Sequence, residues 1–356
     1  MELDEDAPAA NGIRFLAGGQ DDGFEHALVP RQFEFPADHG SHEGFRNEWW
    51  YFTGNLVDAS GRHFGFEMTF FRIELVPMGT PRESRWATNT LWMAHFALTD
   101  TAAHRFHSAE RLARGALDLA GATSEPFHVW VKDWSVRGSA DDRSASLVLR
   151  AQDAEASVTL DLDASKPLVL NGDRGLDSKG PEPGNASFYY SFPRLVVGGF
   201  VMVDGATFVV KGSAWMDREW GTSALSPGVV GWDWFALQLS DGRDLMFYRL
   251  READGGASPF SGGSLIQTDG TVERLDGRDV ELAATAYWSS PHTGVRYPVS
   301  WRIGIPRHRV DLVVEPTMYD QELDLSVRYW EGAVRVTGSG DGDELTGQGY
   351  LELAGY

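Results

Sequence analysis

WWYFTGNLVDASGRHFGF, residues 49–66, and WDWFALQLSDGRDLMF, residues 232–247, are two copies of one pattern. With a two-residue gap at Ala59-Ser60, Trp49 aligns with Trp232, Tyr51 with Trp234, Phe52 with Phe235 and Leu56 with Leu239. Asp58 then meets Asp241, and Gly61-Arg62 meets Gly242-Arg243. Each copy reads as an aromatic strand, a hairpin turn and a second apolar strand, and such self-similarity marks a duplicated unit. The copies lie about 183 positions apart, too far for a solenoid, so the spacing predicts two units with a boundary near residues 213–217. The expected division is an arm over 1–30, a first domain over 31–214 and a second over 215–356.

Outward from these copies the alternation continues. Phe64, Phe66, Met68 and Phe70 share one face of a strand, with Gly65, Glu67, Thr69 and Phe71 on the other. Similar runs occur at Leu147–Arg150, Val158–Leu162, Thr207–Val210, Val310–Val314 and Val327–Val336, separated by turn signals such as Ser240-Asp241-Gly242 and Asp269-Gly270. Helical periodicity is scarce, and its best case is Ala109–Leu119, interrupted by Gly115. Short strands without intervening helices predict an all-β chain of two antiparallel barrels in tandem.

The 356 residues carry 31 Lys and Arg against 52 Asp and Glu, a net charge of −21. So negative a surface repels phosphate backbones and anionic headgroups, which argues against nucleic-acid binding and docking through a basic patch. There is no cysteine, which excludes disulfides, thiolate metal sites and cysteine nucleophiles. No apolar run is long enough for a spanning helix. The start, MELDEDAPAANG, has no apolar h-region, so the expected location is cytoplasmic, or periplasmic or secreted if an export signal was removed.

The chain has 13 Trp, 10 Tyr and 20 Phe, many beside a carboxylate. Glu48 precedes Trp49, Trp50 and Tyr51; Asp233 lies between Trp232 and Trp234; Gln321-Glu322 precede Tyr329-Trp330-Glu331. WMDREWG, residues 215–221, is the densest cluster: alternation puts Trp215, Asp217 and Glu219 on one face and Met216, Arg218 and Trp220 on the other. One account makes these core aromatics with an Arg–carboxylate pair; the other makes them walls of a small-ligand cavity. A carboxyl in an aromatic pocket is kept protonated by desolvation and could protonate an alkene, with indole faces steadying the cation. His39 and His42 have an i, i+3 spacing but no helix to align them, as do His104 and His107, so no metal is expected. His95, in LWMAHFALTD, is either a hydrogen-bonded core histidine or a pocket-facing group. G-x-S-x-G, Walker, G-x-G-x-x-G and H-E-x-x-H motifs are absent.

FPADHGSHEGFRNEWWYFTGNL, AHFALTD, YYSFPRL, WMDREWG, GWDWFALQLSDGRDLMFYRLR and DQELDLSVRYWEGAVRVTG…GQGYLELAGY resemble the AttH and carotenoid 1,2-hydratase superfamily, in order from about Phe35 to Tyr356. The resemblance implies two lipocalin-like (calycin-type) barrels with an apolar pocket near their junction, and it is closer to the AttH branch than to the hydratases. Where carotenoid hydratases carry a His this chain has Arg218, while Trp220 agrees. Their catalytic Asp, shortly after an aromatic residue, has no counterpart in MFYRLR, where Tyr248 fits and Arg249 and Leu250 do not; the next carboxylate is Glu252. The expectation is therefore an elongated apolar ligand, such as an isoprenoid, acyl or polyketide chain, in an aromatic pocket at the junction. Any hydration or dehydration of a C=C bond would draw on Asp217, Glu219 or Asp233, with Tyr248 and His95 orienting groups. Glu48, Trp50, Tyr51, Tyr190, Trp215, Arg218, Trp220, Trp232 and Trp234 would contact the ligand. The alternatives are a non-enzymatic lipid carrier of the bacterial envelope, linked to a transporter, and a pericyclase. No cofactor and a monomeric state are expected.

Overall fold

The period-two patterns become long antiparallel strands in the computed structural model, which describes residues 23–77, 84, 86–222 and 225–356. Among these, helical structure is confined to short turns at Ala37–His39, Gly277–Asp279 and Pro306–His308, so the chain is almost all-β. Two sheets account for the rest. In each, the first and last strands pair at the centre: Asn47–Asp58 with Ala206–Gly221 in the first, Val229–Leu239 with Asp343–Ala354 in the second. The duplicated motif supplies the first strand of each sheet.

The first sheet has 13 strands and curls until Arg105–Arg114 and Phe127–Val131 touch, giving a nearly closed barrel. The second has 10 strands and remains a half-barrel. Ala206–Gly221 runs through the expected boundary near 213–217 and stays in the first sheet to its end. Most of the expected N-terminal arm, residues 1–22, lies outside the described residues, and 23–30 contain no strand or helix. The helical reading of Ala109–Leu119 is corrected: Arg105–Arg114 is a strand paired along its length with Thr90–Asp100. Its partner supplies a full ladder of backbone hydrogen bonds, and that tertiary pairing overrides local periodicity.

Alternation then fixes three apolar layers. Trp50, Phe52, Met216 and Trp220 fill the barrel, while Phe235, Trp301 and Leu351 fill the half-barrel. Tyr51, Tyr189, Trp215, Trp234, Tyr248 and Tyr350 form a third layer between the sheets. Burying such side chains stabilises by roughly 1.5–3 kcal/mol each, so the junction is as much a core as either barrel. Gly65 permits a close approach of the two sheets: a Cβ there would lie 2.6 Å from that of Ala333 on the opposite sheet. An ionic clamp closes one end, where Lys166 and Arg194 of the first half each reach Asp244 at 2.6 Å.

Candidate functional site

Two rows of side chains face each other across the junction. In the first sheet Ser191 is in cross-strand register with Asp217, Asp217 with Tyr51, Tyr51 with Thr69, and Thr69 with His95. In the second, Tyr248 is opposite Trp234, Trp234 opposite Glu352, and Glu352 opposite Glu331. The rows meet through aromatic edges: the Tyr51 and Trp234 rings are T-shaped at 5.1 Å, and Trp234 Nε1 donates to Tyr189 Oη at 3.2 Å. Tyr51 and Trp234 are the equivalent residues of the duplicated motif, so the repeat builds both walls.

Between the rows lies a cavity of about 160 Å³, walled mainly by Trp49, Phe71, Trp232, Trp234, Leu250 and Tyr329. Carboxyls reach it from both sheets: Asp217 and Glu219 from the first, with Glu48 at its border, and Glu352 from the second. Asp217 accepts from Tyr189 Oη at 2.6 Å, Ser191 Oγ at 2.5 Å and Trp215 Nε1 at 2.6 Å, all neutral donors. Burial pushes it up to about 7, against those three hydrogen bonds and with Glu219 adding repulsion. Glu352, half-buried, accepts from Trp232 Nε1 at 2.9 Å. Burial raises it too to about 7, opposed by the Trp232 bond and reinforced by Asp217 and Glu219.

Glu219, two residues along, has different company. Ser187 donates to it and Lys179 Nζ stands 3.4 Å away. Burial raises Glu219, and Lys179 pulls in the other direction. Burial would lower Lys179, but Asp177 at 2.5 Å and Glu219 raise it well above the ordinary value, so it is an ammonium. Its head sits 4.1 Å from the Tyr248 ring centre, and Tyr248 Oη donates to Asp177 at 2.9 Å. Deeper in the junction lie Glu67 and Glu331, both fully buried, the first accepting from Thr69 and the second from Tyr51. Burial drives both well above the usual carboxylate range, with Glu352 repelling each.

The structure therefore divides the expected residues. Asp217, Glu219, Tyr51, Trp215, Trp232, Trp234 and Tyr248 gather at the junction. Glu48, Trp50, Tyr190, Arg218 and Trp220 turn their side chains into the barrel. There Arg218 pairs with Glu48, Arg72 reaches Glu48 at 2.8 Å, and the Arg218 guanidinium lies 3.9 Å over Trp50. His42 stacks on Trp220 at 3.9 Å between Asp38 and Glu48, while His39 meets Tyr190 Oη at 2.6 Å. Asp233 is also elsewhere: it faces the half-barrel interior, bound by Arg249, by Arg251 and by Tyr356 at 2.5 Å. Its neighbours Trp232 and Trp234 point to the junction, so alternation already placed Asp233 on the far face. His95 is fully buried behind the cavity and reaches Tyr329 Oη at 2.6 Å.

Sequence reasoning missed Glu352, Tyr189, Lys179 and Glu67. A signal for Glu352 existed in GYLELAGY, where alternation sets a lone carboxylate on the face of Tyr350 and Ala354. None existed for Lys179, which arrives from a loop.

The AttH-like family model matches residues 26–356. The chain is similar to a solved AttH protein from Nitrosomonas europaea, with a TM-score of 0.82 and 34% identity over 94% of this chain and 100% of that one. It is similar in fold to kievitone hydratase from Nectria haematococca, with a TM-score of 0.70 and 15% identity over 93% of this chain and 96% of that one. Against kievitone hydratase from Fusarium solani subsp. phaseoli it is 21% identical over 239 residues, which span 65% of this chain and 66% of that protein, just under two thirds of its length. CghA shares the fold at a TM-score of 0.57 and 13% identity, over 95% of this chain and 97% of that one.

Proposed function

The chain belongs to the AttH-like family, and from that premise we propose that its junction cavity takes the end of an elongated apolar molecule and adds water across, or removes it from, a C=C bond there. The observation that carries this reading is the pair of cavity carboxyls, Asp217 and Glu352, hydrogen-bonded by neutral groups and both raised to about 7. Two interacting acids near neutrality hold about one proton between them, as an acid–base pair requires. The donors favour a location for it. Asp217 receives three hydrogen bonds, which suit the anion, whereas Glu352 receives one and faces Glu331.

Hydration then runs as follows. Glu352 gives its proton to the less substituted alkene carbon, and the π electrons form the new C–H bond. The cation left on the more substituted carbon is walled by the faces of Trp232, Trp234 and Trp49. Water attacks that carbon while Asp217 accepts the water proton, leaving an alcohol; dehydration is the reverse. A cavity of about 160 Å³ matches the volume that holds a benzene-sized molecule, roughly one branched five-carbon unit. The reacting group is thus a chain terminus, such as a prenyl end. The similarity to kievitone hydratase supports the same chemistry.

Kievitone and geranylgeraniol serve as probes, with product mass and ¹⁸O-water incorporation as readouts, alongside solvent extraction of the purified protein. Gain of one water is expected, with Glu352→Gln and Asp217→Asn each lowering kcat by about 100-fold or more while binding persists. Unchanged turnover in either variant removes that residue from the mechanism. An intact lipophile recovered without turnover assigns the cavity to carriage instead, and neither turnover nor a bound lipophile overturns the reading.

A further inference from the structure

The first-sheet row does not stop at the cavity. Beyond Thr69 it continues to His95 and then, in register, to Glu110 on the edge strand. Cross-strand partners lie about 4.5–5.5 Å apart, so the row is a short path from the junction to the molecular surface. His95 is fully buried beside the Phe71 ring. Its Nε2 lies 3.1 Å from Glu110 Oε2 and its Nδ1 2.6 Å from Tyr329 Oη, which belongs to the opposite sheet and lines the cavity. The Glu110 side chain is 17% exposed, and its other oxygen accepts from Ser326 at 2.7 Å.

A carboxylate, an imidazole and a hydroxyl in this order form the arrangement in which a base draws on a hydroxyl proton. Burial lowers His95, with Glu110 opposing, so the ring is neutral. Nε2–H then donates to Glu110, and Nδ1 accepts from the Tyr329 hydroxyl. The ionisable groups facing Tyr329 are Glu67, Glu331, Glu352 and Glu110, from four different strands. Glu352 is the cavity carboxyl on the neighbouring strand, two residues before the partner of Tyr329.

We propose that Glu110, His95 and Tyr329 form a proton relay between solvent and the cavity carboxyl Glu352. For a proton leaving the cavity, Tyr329 Oη accepts it as the phenol's own proton passes to His95 Nδ1. The Nε2 proton then passes to Glu110 and on to water. An entering proton retraces these shifts, so no atom or charge accumulates. The hydrogen bonds of the row run from Tyr329 through His95 to Glu110; the predominantly apolar wall is poorly suited to a long chain of ordered water, so one water at the cavity edge between Glu352 and Tyr329 completes the route. What the proton is used for rests on the hydratase reading; whether the row conducts is tested without any ligand.

Trp232 donates to Glu352, so its emission is the expected reporter of that carboxyl's protonation. Full-length protein is taken by stopped flow from about pH 8 to about pH 6, across the range near 7 where Glu352 titrates, with Trp232→Phe identifying the signal. His95→Gln, Tyr329→Phe and Glu110→Gln are expected to slow the approach to an unchanged end point by about tenfold or more, and Glu110→Asp to restore most of the rate. A pin that merely held the two sheets together would alter stability and leave this rate alone. Unslowed kinetics in Glu110→Gln, a near-isosteric change at a partly exposed edge position, or in both other variants, overturns the proposal. Slowed kinetics in a protein that turns over neither probe leaves the relay standing and removes the hydratase reading alone.

Discussion

Glu48 and Asp217 sit on one two-strand ladder, Glu48 opposite Trp220 and Asp217 opposite Tyr51, yet they face opposite sides of it. Both are buried, at 1% and 3% exposure. Inside the barrel, burial would raise Glu48, but Arg218, His42 and Arg72 hold it well below the usual carboxylate range. At the junction Asp217 has only neutral donors and is raised to about 7. Burial is common to both, so the neighbours decide the charge. One face of WMDREWG is a closed ion-pair core, and the other keeps a carboxyl able to exchange a proton.

The contrast breaks most visibly at Arg218. Arg218→Ala leaves the Glu48 charge buried with Arg72 and His42 beside it, and removes the guanidinium from the Trp50 face. Losing one member of a buried pair costs about 3–5 kcal/mol, measurable as a drop in the denaturation midpoint. Adding Glu48→Gln removes the stranded charge and is expected to recover part of that loss. No recovery would mean that the pair acts through packing, and that the barrel face is not organised by charge.

Asp217→Asn is expected to act with the opposite sign at neutral pH. The folded-state value of Asp217, about 7, lies above its ordinary 3.8, so the folded chain holds the proton more tightly than the unfolded one. The stability this gives is fully present below about pH 4 and is lost as pH rises toward about 7. At 1.36 kcal/mol per unit the full swing is on the order of 4 kcal/mol. Asn cannot replace all three accepted hydrogen bonds, so a net gain of about 1–2 kcal/mol near pH 8 is expected, with a flatter profile of denaturation midpoint against pH. A loss of stability at pH 8 equal to that at pH 4 would place Asp217 as an anion throughout and erase the contrast with Glu48.

This difference between faces was partly legible in sequence. Alternation alone assigned Trp215, Asp217 and Glu219 to one side and Met216, Arg218 and Trp220 to the other, because a strand has no freedom in that choice. The duplicated motif likewise announced two sheets and set Tyr51 and Trp234 as equivalents. What alternation does not say is which side meets the second sheet. Trp50, Tyr190, Arg218 and Trp220 therefore share the aromatic signature of the pocket yet face away from it, and Glu48 borders it while its carboxylate is held by Arg218 and Arg72. The partners that set charge were illegible for the same reason: Arg72 reaches Glu48, Tyr189 reaches Asp217 and Lys179 reaches Glu219 over long sequence separations that no local pattern encodes. Glu110 looked helical because the residues that make its strand lie in Thr90–Asp100.

The smallest expected effect sharpens the comparison within the junction itself. Glu352 has the single donor Trp232 where Asp217 has three, so its ionised form depends on one bond. Trp232→Phe keeps an aromatic wall and deletes that bond. A hydrogen bond to a charged group contributes about 1.5–3 kcal/mol when fully buried; Glu352 is half-buried, and water at the cavity edge replaces part of the loss. The titration midpoint of Glu352 should therefore move upward from about 7 by less than one unit, followed by ¹³C NMR of the carboxyl carbon. Asp217, facing it from the other sheet, should move slightly in the opposite sense if the two share a proton, because a Glu352 that stays neutral to higher pH repels the Asp217 charge less. An unmoved Glu352 would show that the burial around it, with the repulsion of Asp217 and Glu219, outweighs the indole. The junction carboxyls would then differ from Glu48 only in lacking a cation, and not in how their neutral donors are arranged.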